Sequence, residues 1–362
     1  MKNRRVSQKV KLQVIHTELQ EVPKLEQRIP QHLLPEILIV KDDGNRTNSR
    51  KDGESDFEIK YRRLYPKPTT NAEFDVPRTT AHLDLTADLP RIGDGMHAAV
   101  YHAYLSLGEP FELVQHQPAK VRVAAKIAFD GATDRRMLEN EGQIYDALPT
   151  HFSEDWSGFN AIGESRTNYT DGRVPATAVV PKFYGYFVPL EESGRGKPIL
   201  LLEECGRPIN PSSLTLAERA ICFAFLHRLA SENFMQNSFY ARNILIQPGP
   251  LTLPPHQRSL ENASFRLIDF GRGKGPELLL AEYKAPLTPA SRRREIEEEW
   301  IALYRRERAV AMDAIFGKLV TIRLGFDRYY EGELELADRI RVREFVVNAD
   351  SAAGFHSWDI VH

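Results

Sequence analysis

The hydrophobic period of this chain changes near residue 205, and any fold has to accommodate that switch. From about 85 to 204 apolar residues recur at every second position. Val121, Val123, Ala125, Ile127 and Phe129 alternate as a half-buried strand does, and Ile199-Leu200-Leu201-Leu202 reads as a strand covered on both faces. After 205 the period is helical. Leu216 to Leu229 predicts an apolar-rich helix and Ser291 to Leu319 a long charged one, with Trp300, Leu303, Tyr304, Ala311 and Ile315 turned inward. The arginines at 292–294 and the glutamates at 295 and 297–299 then pair along a solvated face. One helix interrupts the strand region. Met137, Glu141, Ile144, Tyr145 and Leu148 share a single face there, and a carboxylate on an apolar stripe is out of place.

At 362 residues the chain exceeds the roughly 100 to 200 of one ordinary domain. Its hydrophobic share of 42% and charged share of 27% exclude a wholly disordered chain. Lys and Arg number 48 against 50 Asp and Glu, a net charge of −2, so no overall field draws the protein onto nucleic acid or an anionic membrane. Two cysteines, Cys205 and Cys222, are too few for a disulfide framework and fit a reducing compartment. No apolar stretch has the length of a membrane span, and the start has neither a secretory signal's apolar core nor a lipidation motif. The expectation is an intracellular, cytoplasmic protein. The basic start (Lys2, Arg4, Arg5, Lys9, Lys11) leaves a nuclear address open beside the preferred reading of a solvated tail. The polar run from Lys41 to Asp56 reads as a mobile loop or linker, and Ser153 to Thr177 as an insertion.

Four local patterns carry chemistry. Gly93-Asp94-Gly95-Met96-His97-Ala98-Ala99-Val100 forms a glycine hairpin between two expected strands, where missing side chains let backbone N–H groups approach phosphate oxygens. It is not a dinucleotide-binding fingerprint, because a strand follows it where that fingerprint needs a helix. Lys126 sits in mid-strand beside the small Ala124, and its plain alternative is an edge-strand lysine in water. Glu141, fifteen residues on, needs a cation if buried, which makes Lys126 and Glu141 a strand-to-helix clamp. Finally, Phe265-Arg266-Leu267-Ile268 ends in Asp269-Phe270-Gly271, and Asn243 leaves a loop just before the apolar strand Ile244-Leu245-Ile246. Asp269 and Asn243 are oxygen donors suited to a hard cation.

Taken in this order these elements resemble the protein kinase family. The resemblance runs over about residues 85 to 275 and includes a hinge after Leu202 (Glu203, Glu204, Cys205). The stretches around Asn237-Ser238-Phe239-Tyr240, Arg242-Asn243-Ile244-Leu245 and Phe265 to Gly273 look like a fungal, basidiomycete-type protein-kinase-like family. The resemblance implies an α+β, bilobal protein-kinase-like fold. Its parts would be a partly disordered N-terminal extension (1–84), a small β-rich N-lobe (85–204) and a mainly helical C-lobe (205–362) with a long C-terminal helix. It also implies ATP and Mg²⁺ as ligands. Gly93, Gly95, Ala98, Val100, Ala124, Lys126, Glu203 and Cys205 would surround the nucleotide, Lys126 and Glu141 would form the clamp, and Asn243 and Asp269 would hold the metal.

Two departures qualify the implied activity. Kinases place an aspartate five residues before the loop asparagine to accept the substrate's hydroxyl proton, and here that position is Ser238, preceded by Gln236 and Asn237. Downstream, Ala285-Pro286-Leu287 lacks the glutamate that closes an activation segment. A missing general base lowers a rate by about 10² to 10⁴, while positioning and charge neutralisation remain. The expectation is therefore a pseudokinase or very weak phosphotransferase that binds Mg-ATP. An active protein or small-molecule kinase, and a nucleotide-free interaction scaffold, are the alternatives. A protein partner or substrate stays possible, and the oligomeric state is left open.

Overall fold

The computed structural model of the protein describes residues 34–48, 58–67, 79–86, 88–107, 119–154, 159–161, 173–175, 177–190, 196–251, 253–276, 283 and 288–316. Ten strands occupy the first part: β1 Ile37–Lys41, β2 Glu58–Tyr65, β3 Thr80–Asp84, β4 Arg91–Asp94, β5 Ala98–Leu107, β6 Ala119–Ala128, β7 Phe159–Ala161, β8 Arg173–Pro175, β9 Phe183–Pro189 and β10 Ile199–Leu202. Helix α1, Ala132–Ala147, lies between β6 and β7. The second part holds β11 Arg207–Pro208, α2 Leu216–Ser231, β12 Ile244–Gly249, β13 Ser259–Leu267 and α3 Ala290–Phe316.

Seven strands close on themselves in the order β3-β1-β2-β9-β10-β6-β5, with β5 returning to β3. The β1–β3 pair is parallel and the others antiparallel, so the barrel is mixed. Strand β5 makes the closure possible. Its ten residues pair with β6 along their whole length on one edge, while the other edge takes β4 in its first half and β3 in its second. Alternation then sorts the side chains. Leu38, Val40, Leu83, Leu105, Val121, Val123, Ala125, Ile127, Ile199 and Leu201 fill the barrel. Ala124, Ala128, Leu200 and Leu202 point outward into a second cluster with Ile144 and Tyr145 of α1, Phe225 and Leu229 of α2, and Ala311 and Ile315 of α3. The run at 199–202 is apolar throughout because β10 has core on both faces. Helix α1 lies close on β9 at Gly142, where an added Cβ would come within 3.0 Å of Tyr186 Cβ.

This architecture overturns the expected bilobal protein-kinase-like fold with a small β-rich N-lobe and a mainly helical C-lobe. A closed seven-stranded mixed barrel dominates, and three α-helices are present among the described residues. The physical reason lies in residues 37–84. The sequence reading set them aside within an extension, yet Leu38, Val40, Tyr61, Ala81 and Leu83 are fully buried, and β1–β3 bridge β2–β9 to β5. Beyond residue 205 the chain spends Arg207–Pro208, Ile244–Gly249 and Ser259–Leu267 on a second sheet, leaving α2 and α3 as its α-helices among the described residues.

Several local expectations meet the structure directly. Helix α2 starts with a capping box, Thr215 Oγ1 accepting from Glu218 N–H while the Glu218 carboxylate accepts from Thr215 N–H. Helix α3 carries the expected pairs Arg292–Glu295 and Arg294–Glu298 on its exposed face. The start of the polar run is a built loop: buried Asp42 accepts from Arg46 N–H, Thr47 N–H and the Thr47 hydroxyl. The rest of that run between 49 and 57, the basic start, Ala285-Pro286-Leu287 and everything after 316 lie outside the described residues. Within 153–177, Phe159–Ala161 pairs with Arg173–Pro175 as a two-stranded ribbon. Among the described residues no helix is long and apolar enough to cross a membrane.

Candidate functional site

Lys126 stands on the outer face of the barrel, between Val100 of β5 and Leu200 of β10 in register. Its position beside Ala124 follows from the period of two: Val123, Ala125 and Ile127 face the interior, which leaves Lys126 to face α1. Glu141, only 1% exposed on α1, meets it there, with Lys126 Nζ 2.6 Å from Glu141 Oε2. The same ammonium lies 2.9 Å from Asp269 Oδ1. One cation thus joins the barrel, the first helix and the loop after β13.

Asp269 is held in the left-handed region at φ 69°, a conformation that short polar residues tolerate and that often marks a functional loop. Asn140 of α1 fixes the following residues. Its Nδ2 reaches the carbonyls of Phe270 at 3.3 Å, Gly271 at 3.1 Å and Gly273 at 3.1 Å. From the other side Gln236 donates to the carbonyls of Ile268 and Asp269 at 2.8 and 3.0 Å, while its Oε1 accepts from Ser238 N–H at 2.9 Å. Asn243 closes the arrangement. Its Nδ2 donates to the Ser238 carbonyl at 2.8 Å and lies 3.4 Å from Asp269 Oδ2.

The electrostatics follow from burial and from this one cation. Burial pulls the Lys126 ammonium down, but Glu141 and Asp269 outweigh it and hold Lys126 well above the ordinary lysine range. Burial pushes the Glu141 carboxyl up against the pull of Lys126. Burial also pushes Asp269 up, yet Lys126, Arg242 and Arg272 together hold it below the usual carboxylate value. The result is a charged lysine flanked by an ionised aspartate and a buried glutamate.

The glycine hairpin forms as expected. Gly93 pairs with Val100 across β4 and β5, and Gly95 N–H donates to the Ala98 carbonyl at 2.9 Å. Its tip is tied down: His97 Nδ1 lies 2.6 Å from Asp134 Oδ1 near the start of α1. Glu203 and Cys205, read as nucleotide-facing, are both buried. The Glu203 carboxylate is taken up by Arg266 at 3.6 Å, Gln247 at 3.2 Å and Lys182 N–H at 3.2 Å, so its side chain serves the fold. Cys205 Sγ lies 3.3 Å from the Glu203 carbonyl. Ser238 is buried in the loop that Gln236 and Asn243 organise. Of the carboxylates near it in sequence or across the sheet, Glu232 caps α2, and Glu261 is an exposed residue of β13, six positions before Leu267, which pairs with Ile244 next to Asn243.

The donor set suits Mg²⁺. Among the described residues no group of three His, Cys, Asp or Glu side chains forms a metal centre. Magnesium, however, characteristically takes one or two protein oxygens and completes its shell with phosphate and water. Asp269 and Asn243 would be the residues to hold it, each carrying a side-chain oxygen, although the Asn243 atom beside Asp269 Oδ2 is the amide Nδ2. Asn140 and Glu307, which help organise this region, have no part in the sequence analysis, and Gln236 enters it only as a residue preceding Ser238. Glu307 was nonetheless detectable, because it falls on the same α3 stripe as Trp300, Tyr304, Ala311 and Ile315. It is buried and accepts a hydrogen bond from Asn237 N–H. No protein-family model and no curated protein matches the sequence, so the functional reading rests on these residues.

Proposed function

We propose that the chain binds Mg-ATP between the glycine hairpin and the Asn243–Asp269 pair, and that it transfers the terminal phosphate slowly or not at all. The observation that carries this reading is the placement of Lys126, an ammonium 2.6 Å from Glu141 and 2.9 Å from Asp269 with Asn243 alongside. The ordered motifs that resemble protein kinases support it from the sequence side. The bilobal kinase architecture plays no part in it.

Each residue has a definite task in this reading. Gly93 and Gly95 keep the hairpin free of side chains so that its backbone lies over the phosphates. Lys126, oriented by Glu141, contacts phosphate oxygens. Asp269 and Asn243 would hold Mg²⁺, which neutralises phosphate charge when bound. Ser238 cannot accept a proton near neutral pH, which removes about 10² to 10⁴ from any transfer rate.

Calorimetric titration of the full chain with Mg-ATP tests the reading. Binding in the micromolar to low millimolar range is expected, with no detectable transfer of labelled phosphate to generic substrates. Silence at millimolar Mg-ATP would overturn the nucleotide reading, and brisk transfer would overturn the pseudokinase part. Lys126→Met in a Glu141→Gln background removes the ammonium without stranding a buried charge, and it should abolish binding. One observation favours the scaffold alternative: Lys126 is already satisfied by two carboxylates, so the site is electrostatically stable without a nucleotide. Silence in the titration would leave that reading standing.

A further inference from the structure

Two arginines flank the metal-side residues. Arg242 immediately precedes Asn243 and Arg272 immediately follows Gly271, and both are exposed. Arg242 stacks over the Tyr240 ring with its guanidinium carbon 4.4 Å from the ring centroid, and Tyr240 itself is 39% exposed. Arg272 reaches toward the glycine hairpin, its Nη2 3.9 Å from Met96 Sδ. Backbone contacts fix both segments. Tyr240 N–H donates to the Ser238 carbonyl at 2.7 Å, and Asn237 Nδ2 donates to the Arg272 carbonyl at 3.0 Å.

Neither guanidinium forms an ion pair with a carboxylate among the described residues. Asp269, the acid both of them act on, already accepts Lys126. Lys126, Arg242 and Arg272 stand with Glu141, Asp269 and Glu307 around the loop that holds Ser238, and among the described residues Lys126 alone of the three cations is in contact with a carboxylate. Unpaired planar forks beside an exposed aromatic ring are suited to a phosphate, which they can grip with paired hydrogen bonds.

We propose that Arg242, Arg272 and Tyr240 form a second anion site at the rim in front of Ser238, which takes the phosphate of a small phosphomonoester. The inference rests on the nucleotide reading of the neighbouring site and names the class of its second ligand.

The test titrates the full chain, saturated with Mg-ADP, with glycerol 3-phosphate, inorganic phosphate and glycerol. The two phosphate-bearing probes should bind and glycerol should not. Arg242→Gln and Arg272→Gln should each weaken that binding about tenfold or more, with a clearly smaller change in Mg-ADP affinity, which both arginines reach only through Asp269. Absence of phosphate binding, or binding that both variants retain, overturns the proposal. A parallel loss of Mg-ADP affinity also overturns it, because the arginines then belong to the nucleotide site. If Mg-ADP itself does not bind, the same titration is run on the nucleotide-free chain. Arginine-dependent phosphate binding there keeps the rim site although the nucleotide reading has failed, and its absence removes the rim site too.

Discussion

Glu307 gives the sharpest quantitative prediction. It is 4% exposed on α3 and sits against the backbone N–H groups of Gln236, Asn237 and Ser238, with its Oε2 unpartnered among the described residues. Burial pushes its carboxyl up to about 7 from the ordinary 4.5, and the three backbone groups only partly offset that. Between those values the folded chain binds more protons than the unfolded one, so stability falls as pH rises and the loss is complete above about 7. A shift of about 2.5 units at 1.36 kcal/mol per unit corresponds to about 3 kcal/mol. Glu307→Gln keeps an acceptor for Asn237 N–H and cannot ionise. Urea unfolding should therefore find the variant close to the parent at pH 5 and about 3 kcal/mol more stable at pH 8, or roughly 6 °C in a thermal scan. The parent's own pH curve is not diagnostic. His227, which burial drives down to about 4, loses stability as pH falls through 6.5 toward 4 and so opposes Glu307 in that window. The difference between parent and variant cancels His227. A difference curve that stays flat from pH 5 to 8 would refute the argument.

Three further perturbations follow from single contacts. Gly206 has φ +83°, and a Cβ there would lie 2.3 Å from the Ile246 carbonyl oxygen, so Gly206→Ala should cost more than about 2 kcal/mol in urea unfolding, and a loss under about 1 kcal/mol would show that the backbone relaxes freely. The Tyr145 hydroxyl is buried without a hydrogen-bond partner among the described residues while its ring packs on Phe183 and Phe270, so Tyr145→Phe should leave stability unchanged or raise it by about 1 kcal/mol; a clear loss would reveal a hidden acceptor. Lys126→Met strands Glu141 and should cost about 3 to 5 kcal/mol at neutral pH, with most of the loss restored by adding Glu141→Gln; a double variant as unstable as the single one would assign the cost to packing instead.

Legibility in the sequence tracked locality. The helix that became α1 was readable from its stripe, and Glu141 stood out because a carboxylate on that stripe required a cation. The same logic applied to α3 would have found Glu307, and applied to β13 would have found Arg266, a charge between Phe265 and Leu267 that is buried against Glu203. Barrel closure carried no such mark. The strands β1 and β3 are five residues each, and their partners come from pairing between distant segments: Ile37 with Thr80 in parallel, and Ala81 with Leu107. Nothing in the pattern of either strand alone distinguishes an extension from a barrel wall. The pairing of Glu203 was hidden for the same reason, since its partner Arg266 lies more than sixty residues away.

The barrel and the meeting of Lys126, Glu141, Asn243 and Asp269 are compatible for a geometrical reason. The site needs three things side by side: the outward face of β6, the inward stripe of α1, and the loop leaving β13. Helix α1 follows β6 across a short turn, and β13 ends at Leu267, hydrogen-bonded through its N–H to the Val179 carbonyl just ahead of β9. Those neighbours are set within the outer core that joins β6, β9, β10, α1 and α2. Whether the far edge of the sheet stays open or curls round through β1–β3 changes only the interior face, to which Lys126 contributes nothing. A ligand site on the convex side of a sheet is thus largely insulated from how that sheet closes, so the chemistry inferred from Lys126, Glu141, Asn243 and Asp269 has to stand or fall by binding measurements.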